Sequence, residues 1–157
     1  MTDNLSKEIK LKALIVKQLI EAIDEKVAIV KTEIQLAIES RDNETKSNVG
    51  DKYETTREMM QLEIEKNMVQ LNKYELQKNE LLKINPLKKN SKVEFGCLVF
   101  TSGGNYFISI GLGKIEIKNE AVFCISLISP IGKALQNKKE GEKISFQEKE
   151  IFITKII

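Results

Sequence analysis

Ile128-Ser129-Pro130-Ile131-Gly132-Lys133-Ala134-Leu135, followed by Lys138-Lys139-Glu140-Gly141-Glu142-Lys143-Ile144, is the stretch on which the fold of this chain turns. Serine before proline opens a helix by simple chemistry. The Ser129 hydroxyl can accept from an otherwise unpaired amide of the first turn, and Pro130 at the first helical position has no N–H to waste. Any capped helix shows that much. The longer string, a short capped helix, a brief spacer, then Lys-Glu-Gly-Glu and a strand, is more specific.

Upstream lies a long charged segment with helical periodicity. From Ile9 to Ala37 apolar residues step by three and four: Ile9, Ala13, Val16, Ile20, Ile23, Val27, Val30, Ile34 and Ala37. That is an unbroken heptad seam without Gly or Pro. Leu14, Leu19 and Ile38 widen the stripe, and Lys12, Lys17, Glu21, Asp24, Lys31 and Glu39 are expected on the opposite face. A helix from about Ser6 to about Arg41 would be roughly 50 Å long. The stretch Asp42 to Asp51 is polar and rich in turn formers. A second helix is predicted from near Lys52 to near Ile84, with a seam of Met60, Ile64, Asn67, Leu71, Tyr74 and Leu81, and with Met68 and Leu62 beside it. Asn67 at a seam position would fix register at some cost in stability. Two helices of similar length with a short connection should pack antiparallel. Intermolecular pairing and one continuous helix are the alternatives, and Gly50 argues against the second.

Asn85-Pro86 ends the helical pattern, and residues 86–91 read as a linker. Beyond it the period is two. Val93, Phe95, Cys97 and Val99 alternate with Glu94, Gly96, Leu98 and Phe100, which predicts an opening strand. Further strands are expected at Tyr106 to Ile110, Lys114 to Lys118, Ala121 to Ser126, Lys143 to Phe146 and Ile151 to Ile156, with the Pro130 helix among them. The fold class is therefore α+β. Residues 1–85 form an antiparallel coiled-coil stalk with a tip loop at 42–51, and residues 92–157 form a small, mostly antiparallel β domain with one short helix.

Composition narrows the chemistry. In 157 residues, 31% are charged and 6% aromatic, which suits a coiled coil joined to a compact domain. The net charge of +2 gives no general case for nucleic-acid binding. There is no histidine, so Ser-His-Asp and Cys-His centres are excluded within this chain. Cys97 and Cys124 stand in apolar runs without CxxC spacing and read as reduced structural thiols. Gly111-x-Gly113 lacks the third glycine and the following helix of a phosphate loop, so it reads as a turn. No segment approaches the roughly 20 apolar residues of a membrane span. Met1-Thr2-Asp3-Asn4 does not begin a signal peptide. A cytoplasmic protein without membrane contact is the expectation.

The tip carries Asp42, Glu44 and Asp51, with Lys46 and Lys52 nearby. Carboxylates held together can share a hard divalent cation, whereas a solvated loop of ordinary turn residues is the plainer reading. Nearly the whole length resembles the Gre transcript-cleavage factors of bacteria. Ser129-Pro130-Ile131-Gly132-Lys133-Ala134-Leu135 is the strongest match to that family's Ser-Pro-Ile-Gly-x-Ala-Leu string. Val93-Glu94-Phe95-Gly96-Cys97-Leu98-Val99 resembles its opening strand, and Asp51-Lys52-Tyr53-Glu54-Thr55-Thr56-Arg57-Glu58 a segment of its stalk.

The resemblance implies an FKBP-like C-terminal domain that docks on bacterial RNA polymerase, with Ser129, Pro130 and Ile131 as docking residues. The stalk then enters the secondary channel and meets nascent RNA only indirectly. It implies no catalysis by the chain alone. At most, Asp42, Glu44 and Asp51 assist the polymerase's own RNA cleavage, with Asp42 and Glu44 sharing a polymerase Mg²⁺. Two departures stand out. The family's Gly-Asp-x-x-Glu-Asn tip is absent, with Lys46 and Val49 near where its acids would fall, and Ile128 replaces the usual Asn or Asp before the serine. A non-cleaving occupant of the channel, a prolyl isomerase and a purely structural coiled-coil dimer are the competing expectations.

Overall fold

The computed structural model describes the backbone of residues 2–44 and 50–157, and the side chains of residues 2–43 and 54–157. Helix α1 spans Thr2–Glu44 and α2 spans Gly50–Leu82. Strands β1 (Leu98–Thr101), β2 (Gly104–Ile108), β3 (Gly113–Ile117) and β4 (Glu120–Ile125) follow, then α3 (Pro130–Leu135), β5 (Lys143–Phe146) and β6 (Lys149–Ile156). The protein is α+β: a long N-terminal helical hairpin, then a six-stranded and mostly antiparallel sheet with one short helix. No helix among the described residues is long and apolar enough to cross a membrane.

The chain packs as two compact units, Met1–Leu19 with Glu80–Ile157, and Ile20–Asn79. The second unit is the hairpin proper. Asp24 pairs with Lys78 at 2.6 Å, and Arg41 donates to Gln61 at 2.8 Å. Going forward from Asp24 to Arg41 in α1 goes back by the same number of residues, from Lys78 to Gln61, in α2. That is the signature of antiparallel packing. The heptad seam supplies the contact: Ile23, Val30, Ala37 and Ile64 are buried, and Asn67 is buried with them. The Asn67 side-chain nitrogen has no hydrogen-bond partner among the described residues. Leu62 and Met68, expected beside the seam, are exposed.

In the first unit the sheet order is β3-β4-β2-β1-β6-β5. Every neighbouring pair is antiparallel except β2 with β4, which run parallel in the register Asn105↔Val122 to Ile108↔Ile125. Val93, Cys97, Val99, Ile108, Leu135, Ile144, Ile151, Ile153 and Ile156 form its core. Simple alternation cannot bury both Ile153 and Ile156, which lie three apart. Register shifts between Phe100 and Thr101, whose partners are Lys155 and Ile153, leaving Thr154 as the extra residue of a bulge. The Thr154 hydroxyl donates to the Phe100 carbonyl at 3.0 Å, and the bulge turns both isoleucines inward.

Two expectations are corrected. The predicted opening strand at Val93–Val99 is a strand only from Leu98. Gly96 has φ +90, and Cys97 N–H turns back to the Glu94 carbonyl at 3.3 Å, so the backbone there is bent. Val93 instead pairs with the segment after α3, donating to Lys138 and accepting from Asn137. Lys12, expected on the solvated face of α1, is only 2% exposed. Ile15, Leu19 and Leu81 are fully buried in the same unit. The predicted linker 86–91 lies within this unit too.

Asn67→Leu removes an unpartnered buried amide from the seam. It should raise the hairpin's stability by about 1–2 kcal/mol, read as a higher midpoint of the helical signal in thermal unfolding. An unchanged or lower midpoint would mean that the amide is satisfied in solution.

Candidate functional site

Ser129 caps α3 in the manner its sequence predicts. Its hydroxyl accepts from Gly132 N–H at 3.1 Å and donates to the Ser126 carbonyl at 2.6 Å, while Pro130 occupies the first turn. Gly132 is not interchangeable with alanine. A β-carbon there would collide with the Ser126 carbonyl oxygen and lie 2.9 Å from the Ser129 hydroxyl. Ile131 packs against the core, with Leu127 and Ala134. Of the three predicted docking residues, then, Ser129 is engaged as a cap and Ile131 as a core neighbour. Pro130 is exposed. The most accessible side chain at this turn is Ile128, 82% exposed, which the family pattern does not single out. An isoleucine presented to solvent beside a rigid capped turn is visible in the sequence only as a departure from the family's Asn or Asp.

At the other candidate position, α1 continues through Asp42 to Glu44, so Asp42 stands on a helix and not in a loop. Its carboxylate is exposed and accepts from Arg41 Nε at 3.1 Å. Thr45 to Val49 lie outside the described residues, as do the side chains of Glu44 and Asp51. The structure therefore does not bring the three tip acids together or hold them apart. No group of three acidic or cysteine side chains that would hold a metal occurs among the described residues.

The hairpin carries a feature that its heptad seam does not disclose. Leu62, Val69 and Leu76 are all exposed, Val69 at 73%. They recur every seven residues, on the side of α2 facing away from the buried Ile64 and Asn67. On α1, Ile29 and Leu36 are exposed at the same spacing.

On the β unit, a cleft of about 430 Å³ is lined by Tyr106, Phe146 and Ile151 together with polar residues of the β1–β2 and β5–β6 turns. Tyr106 stacks at a tilt on Phe123, with centroids 5.8 Å apart, and partial burial pushes its hydroxyl pKa up. The two cysteines are free and buried. Burial raises the Cys97 thiol to about 11 and the Cys124 thiol to about 12. Neither has the low pKa of a nucleophile.

This chain matches no known family model, and no curated protein matches it.

Overpacking at the cap should show directly. Gly132→Ala is expected to destabilise the β unit by about 3 kcal/mol, whereas Gly111→Ala, with open space around its β-carbon, should change urea stability by less than about 0.5 kcal/mol. Equal effects of the two would contradict the close contact at Gly132. The thiols give a second check. Unfolded cysteines ionise near 9.0 and the folded ones only near 11 and 12. Folding therefore binds protons, and stability should fall as pH rises above 9. Iodoacetamide at pH 8 should label both thiols only after denaturant is added, and rapid labelling of the native chain would contradict their burial.

Proposed function

We propose that this chain is a Gre-like elongation factor that binds bacterial RNA polymerase and occupies its secondary channel with the helical hairpin. The observation that carries this reading is the outward apolar spacing of Leu62, Val69 and Leu76, with Ile29 and Leu36. A two-helix hairpin serving only as a spacer in water gains nothing from exposed leucines every second turn. One that lies against protein walls does. The Ser129–Leu135 turn supports the same reading. Its cap and close-packed glycine hold Ile128 and Pro130 at a fixed place on the surface of the β unit, as a docking contact requires.

Occupancy without stimulated cleavage is supported by the tip sequence, where Lys46 and Lys52 reduce the local negative charge. Arg41, whose Nε donates to the Asp42 carboxylate, adds a further positive charge beside that acid. Any Mg²⁺ at the tip would be shared with the polymerase, and Asp42, Glu44 and Asp51 are the acids the tip offers. The prolyl isomerase reading rests on the FKBP-like resemblance of the C-terminal domain, to which the cleft lined by Tyr106 and Phe146 adds two aromatic rings.

The test is a binding measurement with core polymerase and with a backtracked elongation complex. The parent chain should bind both. Ile128→Asp and the triple variant Leu62→Ser, Val69→Ser, Leu76→Ser should each bind at least about ten-fold more weakly, a loss of about 1.4 kcal/mol, with unchanged circular dichroism. No binding by the parent, or full binding by both variants, overturns the proposal. Shortening of the RNA that disappears with Asp42→Ala and Glu44→Ala would replace silent occupancy by assisted cleavage.

A further inference from the structure

Lys12 is the buried charge of the described residues. Its ammonium donates to the Lys88 carbonyl at 3.1 Å. With the Asn90 amide turned to suit its neighbours, it also donates to the Asn90 oxygen at 3.2 Å, and the Asn90 nitrogen reaches Glu94 at 2.8 Å. An ammonium has three protons, and these two neutral acceptors leave one. No ion pair with Lys12 is found among the described residues, and the acids around it are committed elsewhere. Glu94 pairs with Lys88 Nζ at 2.9 Å, and Glu8 pairs with Lys155. A buried cation without a direct counter-ion is costly, and burial accordingly lowers the Lys12 pKa.

Lys12 also lines a half-open cleft of about 240 Å³. Its apolar lining comes from Leu5 and Ile9 of α1, Pro86 and Leu87 of the connecting segment, and Ile156 and Ile157 at the end of β6. All of these belong to one compact unit. One buried positive charge set among aliphatic side chains is the complement of a small molecule with one negative charge and an apolar body. A phosphate would need several convergent donors; of the three rim lysines Lys88 and Lys155 are already paired, Lys89 is exposed, and the Glu8 carboxylate also borders the cleft.

We propose that this cleft binds a small amphipathic monocarboxylate, with Lys12 as its buried counter-charge. The carboxylate supplies the missing partner of the ammonium, and the apolar body fills the aliphatic floor. Such a ligand would tie the start of α1, the segment around Pro86 to Lys88 and the end of β6 to one another. It would raise the stability of that unit by mass action.

The test uses the full chain at pH 7 and fixed ionic strength. Sodium benzoate, its neutral analogue benzamide, and inorganic phosphate are titrated in parallel, with binding read by amide chemical shifts and by thermal midpoint. Benzoate should saturate, move the amide signals of Leu87, Lys88 and Ile156, and raise the midpoint. Benzamide should bind at least about ten-fold more weakly because it lacks the charge. Lys12→Met, similar in length and without charge, should lose benzoate binding while keeping the parent's circular dichroism. If that variant does not fold, the comparison of benzoate with benzamide on the parent still decides. Absence of saturation by benzoate at about 10 mM overturns the proposal, as does equal binding of benzamide. Phosphate binding tighter than benzoate would equally overturn it, since the aliphatic floor would then have no part.

Discussion

The approach of Gly132 to the carbonyl of Ser126 is the constraint on which the β unit depends. Chain leaving β4 must reverse within a few residues and enter α3 with Leu135 pointing inward. The reversal is tight enough that the first turn of the helix lies against the carbonyl of the preceding strand's end. The Ser129 hydroxyl bridges the two, donating to that carbonyl and accepting from Gly132. The path of the chain after α3 is fixed in turn. Leu135 reaches the core, and Asn137 and Lys138 pair with Val93 on both sides. The entry of the chain into the sheet is thus set by a helix some forty residues later. That is why Val93 is fully buried although it belongs to no strand.

The same constraint explains what the sequence discloses and what it conceals. Periodicity of three and four, and then of two, locates the hairpin and the strands, because burial on one face is what periodicity encodes. It misplaces Val93 to Cys97, since alternation of apolar residues does not reveal that Gly96 adopts a left-handed φ of 90 and bends the chain. The turn between β5 and β6 also gives little signal. Gln147 and Glu148 both have positive φ without being Gly or Asn, so context imposes what composition does not announce. Lys12 is hidden for a different reason. Lys12 lies on the same stripe as the buried Val16, Leu19, Ile23, Val30 and Ala37, whereas the predicted seam residue Ala13, one position further round the helix, is exposed. A lysine between Ile9 and Ile15 is placed in solvent by default, and only the fold shows otherwise.

The candidate docking turn shows how a motif can be recognised for one reason and matter for another. Ser129 and Gly132 are the most recognisable residues of the string, yet the cap and the close approach account for them fully. Residues needed to build a turn cannot also report what the turn touches. The informative side chains are those with no structural task, Ile128 at the turn and the leucines on the outside of α2. The tip is the opposite case. Its acids are legible as letters, but a letter does not say that Arg41 engages Asp42 or that α1 extends past it.

Among the described residues, each compact unit buries one polar side chain on its helices where an apolar residue would pack more favourably, Asn67 in one and Lys12 in the other. A seam of repeating Ile, Val and Leu is nearly indifferent to sliding by one heptad, because each apolar residue then meets another of similar size. Asn67 is the polar position of the hairpin's seam, and its side-chain nitrogen has no partner among the described residues. Lys12, near the start of α1, is tied to its place in the other unit, since its ammonium finds acceptors at Lys88 and Asn90. Moving Lys12 away from the Lys88 carbonyl while it stayed buried would leave its ammonium short of an acceptor, which is costly unless the group gives up its proton. Lys12 thus costs its unit stability, and in exchange its two acceptors tie the start of α1 to the segment around Lys88.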